Sequence, residues 1–293
     1  MRIVQRQDLK PSAWNAFVDA HPACWWWHRE EWISYCLAHS GGVDHSFAVV
    51  DGDQIVGLCP LIQEGDQFSM GGDPCAWPVG TSVPSNLDEH MVREIDRLGL
   101  NHEVHLAAFR QSPLTSVSSV ALDRLGYKDV SWQSQVIDLT GPDLWAGVKD
   151  GHRAEIHRGL RELSIGFEND RSGIAALQDM HRREAGRDTR PQATWDMMAS
   201  WFAHAGLIIA RRAGRALGIA YFISYKGGVY YASAAWPEAH VSHAVLWTAM
   251  RTFKELGYKQ LEMGWLDHPT LAVFKRGFGG EAKTLHCVEK RWP

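Results

Sequence analysis

The chain of 293 residues contains no stretch approaching the roughly 20 uninterrupted apolar residues that are needed to span a bilayer. Its amino terminus brings Asp8 and Lys10 before any apolar run develops, which argues against a signal peptide. Cysteines are few, odd in number and never arranged as C-x-x-C, which argues against a disulfide framework and against a zinc site. We therefore expect a cytoplasmic protein with no membrane span and no metal.

Signatures of several common enzyme classes are also missing. No G-x-G-x-x-G stands between a strand and a helix, which excludes a typical Rossmann unit. The G-x-S-x-G elbow that is typical of serine hydrolases is also absent from the sequence. His102 and His105 are spaced i, i+3, whereas the histidines of a zincin are spaced i, i+4. We expect no tightly bound cofactor and no DNA partner.

The composition that remains is that of a globular protein with two domains. Hydrophobic residues make up 45% of the chain and charged residues 22%, and the length suits two cores better than one. Residues 1–144 carry 9 Lys/Arg against 19 Asp/Glu, and residues 145–293 carry 21 against 15. We predict an acidic domain over 1–144 and a basic domain over 145–293. The basic excess indicates either an anionic partner or substrate, or attraction between the two halves.

Three neighbouring features recur at nearly one offset. Residues 47–58 and 207–223 both have the pattern strand, turn, strand, and their glycines Gly57 and Gly218 are 161 residues apart. Trp32 and Trp195 are 163 apart, and the segments 38–41 and 203–206 are similar at an offset of 165. This repetition predicts a duplicated helix–hairpin unit, and hence an α/β fold in which helices pack on mixed, mostly antiparallel sheets.

In the second half the pattern predicts a helix over 195–205, then three strands over 207–231 with turns at Gly214 and at Gly227–Gly228. Ser242 is expected to cap a helix that runs to Glu255, and residues 259–263 to form the next strand. A further helix is expected over 145–163, with Gly159 weakening it by up to about 1 kcal/mol.

The most distinctive local segment is Phe274-Lys-Arg-Gly-Phe-Gly-Gly-Glu281. Two aromatic residues bracket the cations Lys275 and Arg276, and the glycines let the backbone approach a ligand closely. Exposed N–H groups beside two cations form an anion or oxyanion cradle. The alternative is a glycine-rich β-turn whose charged side chains are simply solvated.

Residues 261–281, together with the segment 152–159, resemble the FemABX peptidyltransferases and the related GNAT-like acyltransferases. The resemblance is specific at 261–281 and weak in the amino-terminal half. It implies two GNAT-type domains in tandem, with the acceptor between them and the activated donor bound mainly by the second domain.

The same resemblance implies roles for individual residues. Lys275 would stabilise negative charge on the carbonyl during transfer, or hold the phosphates of the donor. Phe274 and Phe278 would wall the channel. Arg153 and Arg158 would be basic residues of the cleft or would contact phosphate.

Other candidate residues follow from residue type and position. Arg276, Gly277 and Gly279 are candidate donor-binding residues, as is Ser242 at the expected helix start. Arg153, His157 and Arg161 share a helix face that could follow RNA, although such charge runs are more often solvated. Candidates for the general base are Asp267, His268 and His243, each of which could equally be a capping or surface residue.

The identity of the donor divides the functional hypotheses. Residues 237–244 lack the glycine-rich loop with which acetyl-CoA-dependent GNAT enzymes wrap a pyrophosphate, which favours aminoacyl-tRNA as the co-substrate. The short chain favours acyl-CoA instead. We therefore expect an acyltransferase that forms an amide with an amino sugar, a peptide or a specialised metabolite. A catalytically inactive binding module and a sequence-nonspecific RNA binder are the alternatives from other classes.

Overall fold

The computed structural model describes residues 1–81, 86–118, 120–236 and 238–293, with Ala239 described by its backbone alone. Within these residues the contacts divide the chain into two units. Unit 1 comprises Met1–Trp132 and Thr284–Pro293, and unit 2 comprises Gln133–Lys283.

The described residues form eight α-helices and eighteen strands. The helices are α1 (Pro11–Ala20), α2 (Glu30–Ser40), α3 (Leu87–Asn101), α4 (Asp150–Glu162), α5 (Arg171–Ala185), α6 (Gln192–Met198), α7 (Ala239–Glu255) and α8 (Pro269–Arg276). The first ten strands are β1 (Arg2–Gln5), β2 (Val43–Asp44), β3 (Phe47–Asp51), β4 (Gln54–Cys59), β5 (Ile62–Glu64), β6 (Gln67–Phe68), β7 (Cys75–Ala76), β8 (Val79–Gly80), β9 (Leu106–Arg110) and β10 (Lys128–Asp129). The others are β11 (Trp132–Asp138), β12 (Ser164–Glu168), β13 (Ala205–Arg212), β14 (Arg215–Tyr225), β15 (Gly228–Ala235), β16 (Gln260–Trp265), β17 (Glu281–Leu285) and β18 (Cys287–Arg291). None of these helices is both long enough and apolar enough to cross a membrane.

Unit 1 contains two sheets around a core rich in tryptophan. One sheet has the order β1-β3-β4-β8, and the other has the order β10-β18-β9-β6-β5-β2, with β7 also paired to β9. Trp14 and the consecutive Trp25, Trp26 and Trp27 are almost completely buried. The run of three tryptophans is therefore core packing, as expected for side chains that bury so much area.

Unit 2 is built on one seven-stranded sheet of order β12-β13-β14-β15-β16-β11-β17. β15 and β16 are parallel neighbours, whereas β12–β13, β13–β14, β14–β15 and β11–β16 are antiparallel pairs. The connection between the parallel strands is α7, which packs with α4 on one face of the sheet. α5 packs on β14 and β15 from the other face, where the hydroxyl of Tyr221 also donates to the carbonyl of Met198 on α6.

The predicted hairpins are confirmed as β3–β4 and β13–β14, each preceded by a helix. The turns at Gly214 and Gly227 have positive φ, and α7 ends at Glu255 as predicted. The helix predicted over 195–205 is wrong in its bounds, because α6 begins at Gln192 and strand pairing already starts at Ala205. The helix predicted over 145–163 is a short 3₁₀ turn followed by α4.

Ser242 is not the cap of α7. The helix begins three residues earlier, at Ala239 with Glu238 as its N-cap, and Ser242 is buried within it. The reason is the apolar Val241, which is completely buried in the core of unit 2 and extends the helical pattern toward the amino terminus.

The two units differ from the predicted boundaries of 1–144 and 145–293 at both ends. Residues 133–144 belong to unit 2, since β11 pairs with β16 there. The last ten residues belong to unit 1, since β18 pairs with β9 and β10. Because these strand pairs join segments that are far apart in sequence, no local sequence pattern predicts the boundaries of the units.

Candidate functional site

The parallel ladder between β15 and β16 opens before either strand ends. Its three registered pairs finish at Tyr230 opposite Glu262. β15 continues to Ala235 and β16 to Trp265, and no further pair between them occurs among the described residues. A bulge lies at the same level in each strand: at Ala232 on β15, and at Gly264, with φ of 81°, on β16. Carboxyl ends of parallel strands that separate in this way form a natural ligand site.

Lys275 extends into this region from the last turn of α8. Its Nζ donates a hydrogen bond of 2.6 Å to the carbonyl oxygen of Trp265, the last residue of β16. Burial lowers the pKa of Lys275 below its ordinary value, while the carboxylates of Asp267 and Glu262 act in the opposite direction. The ammonium group is therefore held at the end of a strand, half-buried, and not in bulk solvent.

The glycines after Lys275 do not form the predicted anion cradle. α8 makes the segment helical up to Arg276, and the N–H groups of Gly277, Phe278 and Gly279 donate to carbonyls of residues 273–276. A Cβ at Gly279 would lie 2.8 Å from the carbonyl oxygen of Gly147. These glycines therefore end a helix and allow close backbone packing, and the amides of Gly277 and Gly279 are already engaged.

An aromatic cluster lies behind the helix that carries Lys275. His152 on α4 contacts His243 on α7 at a ring distance of 4.3 Å, and its Nε2 is 2.8 Å from the carbonyl oxygen of Phe274. Burial is the main cause that lowers the pKa of His152. A Cβ at Gly277 would lie 2.1 Å from the His152 ring, so only glycine fits there.

Three predicted site residues belong to this cluster. Phe278 is 1% exposed and packs against both histidines, so it is a core residue and not the wall of an open channel. Phe274 is half-buried beside it. His243 lies inside the second turn of α7, not at the helix start, and is surrounded by rings. These ring contacts favour a role for His243 in positioning α8 over a role in proton transfer.

The remaining candidates lie around α8 and α4. Asp267 is exposed and accepts a hydrogen bond of 2.9 Å from the backbone N–H of His268, the N-cap residue of α8. Arg276 is exposed at the end of α8. Arg153 donates to the carbonyl oxygen of Trp145 at 3.0 Å and to Asp150, and it lies 5.7 Å from the Trp145 ring centre.

Of the basic residues predicted to share one face of α4, Arg153 and His157 are thus engaged in contacts within unit 2. His157 packs edge-on against Trp145 at 5.0 Å. Arg158 forms an exposed i, i+4 pair with Glu162 at 3.1 Å. Such exposed pairs contribute little and exchange readily, so Arg158 remains able to contact an anion.

Two polar groups at the opening were missed by the sequence analysis. Glu262 on β16 is 1% exposed, and its Oε1 accepts a hydrogen bond of 2.8 Å from the hydroxyl of Ser134 on β11. A charged residue in a strand of otherwise buried positions is the signal that could have revealed it, because buried carboxylates are rare without a function or a partner.

The second group joins α5 to β15. Nε2 of His181 lies 3.0 Å from the hydroxyl oxygen of Ser233, and a guanidinium nitrogen of Arg190 lies 3.5 Å from the same oxygen. Burial, and then the charge of Arg190, lower the pKa of His181. Neither residue stands in a recognisable motif, and the pairing depends on how α5 packs on the sheet.

Solved structures of similar fold agree with this architecture. The crystal structure of FemX superposes with a TM-score of 0.69 at 12% identity, over 100% of this chain and 98% of that chain. The fold of this chain is FemX-like. The fold predicted from the sequence, a mixed α/β architecture of the tandem GNAT-like kind, is therefore confirmed.

Two further structures have this FemX-like fold. The C-terminal domain (DUF2156) of a putative lysylphosphatidylglycerol synthetase from Agrobacterium fabrum gives a TM-score of 0.66 at 12% identity, over 96% of this chain and 92% of that chain. A tandem GNAT protein from the clavulanic acid biosynthesis pathway gives 0.60 at 13% identity, over 100% of this chain and 99% of that chain. No protein-family model and no curated protein matches the sequence.

Proposed function

We propose that the protein is an acyltransferase that forms an amide between an activated acyl or aminoacyl donor and an amine. The observation that carries this proposal is the half-buried ammonium group of Lys275 at the end of β16, where the parallel ladder with β15 has opened. The FemX-like fold and the resemblance of residues 261–281 to FemABX and GNAT-like acyltransferases support the same reaction class.

The proposed chemistry uses the fixed charge of Lys275. The donor carbonyl lies in the opening with its oxygen toward Nζ, and the acceptor nitrogen attacks the carbonyl carbon. Negative charge then develops on the oxygen beside a cation that is already in position and partly shielded from water. Preorganised charge of this kind stabilises a tetrahedral transition state strongly, by about 3 kcal/mol for a single donor group.

We propose aminoacyl-tRNA as the donor, with acyl-CoA as the alternative. The absence of glycine in residues 237–244 supports the first, because a pyrophosphate wrap needs backbone N–H groups that glycines bring close. The acceptor is proposed to be an amino sugar, a peptide or a small metabolite with a primary amine.

A transfer assay with both donor classes tests the proposal. The full chain is incubated either with radiolabelled aminoacyl-tRNA or with acyl-CoA, in the presence of glucosamine, a lysine-containing peptide or hydroxylamine, and the labelled amide is separated. The expected result is a protein-dependent product with one donor class. Loss of that product after RNase treatment assigns the donor as tRNA, and its persistence with acyl-CoA assigns the alternative.

The variant Lys275→Ala connects the activity to the proposed site. We expect turnover to fall by about 10²- to 10³-fold, whereas Lys259→Ala, which removes an exposed lysine from the same unit, leaves it unchanged. Normal turnover in Lys275→Ala would reject the role of the ammonium group. No product with either donor class would favour a binding module without catalysis.

A further inference from the structure

The acceptor amine of such a reaction is an ammonium ion at neutral pH and has to lose a proton before it can attack. Lys275 cannot receive that proton while it serves as the cation. The predicted bases are also poorly suited, since His243 is enclosed by aromatic rings, Asp267 is an exposed carboxylate just before α8, and His268 is the exposed N-cap residue of α8. The proton acceptor is therefore to be sought among the other polar groups near the opening.

Ser233 lies at the required level of the sheet. Counted from the last registered pair, Tyr230 opposite Glu262, it is the third residue along β15, just as Trp265 is the third residue along β16. Each strand contains one bulge in this interval, so the two positions stay level. The carbonyl oxygen of Trp265 is the group that holds Nζ of Lys275. Ser233 and the lysine anchor thus lie at the same height on the two strands that separate.

The side chain of Ser233 projects from the face of the sheet that α5 covers. It is paired across the β14–β15 ladder with Tyr221, whose hydroxyl bonds to α6 on that face. Glu262 projects from the same face, because its neighbours Leu261 and Met263 belong to the core on the α7 side. Ser233 and Glu262 therefore project from the same face of the sheet.

The His181 ring is suited to accept a proton through this hydroxyl. Its Nε2 lies 3.0 Å from Ser233 Oγ, and it stacks at a tilt on Trp195 of α6 at 5.7 Å. The charged group that acts on the ring is Arg190, which itself lies over Trp195 at 4.7 Å. Burial and this cation both disfavour the imidazolium, so the ring is neutral at pH 7 and ready to receive a proton.

We infer that Ser233 and His181 form the proton-accepting pair for the acceptor amine, an inference that rests on the proposed function. One N–H bond of the ammonium ion breaks, and its proton passes to Ser233 Oγ as the hydroxyl proton passes to His181 Nε2. The freed lone pair forms the C–N bond, and the carbonyl electron pair moves to the oxygen beside Lys275. When the intermediate collapses, the leaving group departs with a second proton from the nitrogen, and His181 returns its proton to solvent.

A comparison of acceptor amines that differ in basicity distinguishes a role of the pair in proton transfer from a structural role. With the donor class that the transfer assay identifies, His181→Gln is expected to lower turnover by at least about 10²-fold on glucosamine, which is largely protonated at pH 7. The loss should be far smaller on hydroxylamine, which is already neutral. Ser233→Ala should follow the same pattern and Ser233→Thr should retain activity, since it keeps the hydroxyl. His105→Gln, which changes an exposed histidine of unit 1, is the matched control.

Equal losses on both acceptors would overturn the inference and leave the proposed function standing, because they would indicate a structural role. Wild-type turnover in His181→Gln would overturn it as well. If the wild-type protein transfers nothing, the proposed function fails, and a nuclear magnetic resonance titration of the histidines decides whether the pair exists. His181 should then titrate at lower pH than an ordinary histidine, and Arg190→Gln should raise its pKa. Titration of His181 at the pH of an ordinary histidine, unchanged by Arg190→Gln, would overturn the pair.

Discussion

At the scale of single residues, Lys275 carries a charge that its surroundings disfavour. Burial outweighs the carboxylates of Asp267 and Glu262, so its pKa lies below the ordinary value. A lysine whose pKa is lowered in the folded state destabilises the fold at pH values where it is protonated. This cost to stability disappears as the pH rises from the lowered pKa to the ordinary lysine pKa. Charge kept at a cost to stability is typical of functional sites.

The variant Lys275→Met follows from this imbalance. It removes the charge and keeps a side chain of similar length, so we expect the free energy of unfolding to stay within about 1 kcal/mol of the wild type or to rise. Transfer activity should fall by about 10²-fold or more. Urea unfolding and the transfer assay measure the two effects on one preparation. A variant that loses stability and activity together would show that the lysine is structural.

The lowered pKa also predicts the alkaline limit of activity. Transfer that depends on the ammonium form is lost as the pH rises through the pKa of Lys275, which is below that of an ordinary lysine. Lys275→Arg keeps its charge at any accessible pH, so its residual activity should persist to higher pH. Rate profiles from neutral to alkaline pH check this, with donor hydrolysis measured at each point. Coincident alkaline limbs would contradict the assignment.

At the scale of elements, Gly159 explains how two helices approach each other on one face of the sheet. This glycine lies within α4, where it weakens the helix intrinsically. A Cβ at this position would lie 2.6 Å from the carbonyl oxygen of His240 and 2.5 Å from Cβ of Ala244, both on α7. The weak helix-former is thus what lets α4 and α7 pack closely.

Gly159→Ala should therefore destabilise the protein by about 1–3 kcal/mol, because overpacking outweighs the gain in helix propensity. Gly151→Ala is the matched control on the same helix, since nothing lies within 4 Å of its Cβ position. It should be neutral or stabilising by up to about 1 kcal/mol. Thermal unfolding of both variants measures the difference. Equal melting temperatures would mean that α4 and α7 do not pack as described.

How far the sequence predicts these elements depends on the range of the interactions. The β13–β14 hairpin and the end of α7 follow from local turn and periodicity signals, and both are confirmed. The helix α8 was not predicted, because glycines at 277, 279 and 280 dominate the pattern although they lie just beyond its end. The pairing of His181 with Ser233 joins residues 52 positions apart and has no local signal. Lys275 was predicted from a motif, but its strand-end anchor was not.

At the scale of the whole molecule, the true limits of the units reduce the charge asymmetry. Unit 1 carries 11 Lys/Arg against 18 Asp/Glu, and unit 2 carries 19 against 16. The basic excess of the second unit is thus smaller than that of residues 145–293. Several of its arginines also pair with carboxylates, among them Arg158, Arg182 and Arg183.

If tRNA binds, contact with Lys and Arg side chains should make the affinity for tRNA fall steeply as the salt concentration rises. Filter binding at several salt concentrations measures this dependence.

The return of the chain to unit 1 makes its last residues structural. β18 lies between β9 and β10, and Cys287 and Val288 are buried within it. A Cβ at Gly99 on α3 would lie 3.1 Å from the ring of Trp292, so this tryptophan covers the helix closely. Lys290 also pairs with Asp96 of α3 at 2.6 Å. Removing this segment would expose the backbone of β9 and uncover one side of α3.

A chain that ends at residue 283 should therefore lose the cooperative unfolding of unit 1, while unit 2 keeps its sheet apart from the end of its edge strand β17. Loss of a strand that is paired on both sides exposes buried apolar area and leaves ladder hydrogen bonds unmade, which is more than a marginally stable unit tolerates. Limited proteolysis with mass spectrometry should find early cleavage within residues 1–132. A chain that ends at residue 292 keeps β18 and Trp292 and should resist cleavage like the full chain. Equal resistance in the chain that ends at residue 283 would mean that the stability of unit 1 does not depend on β18.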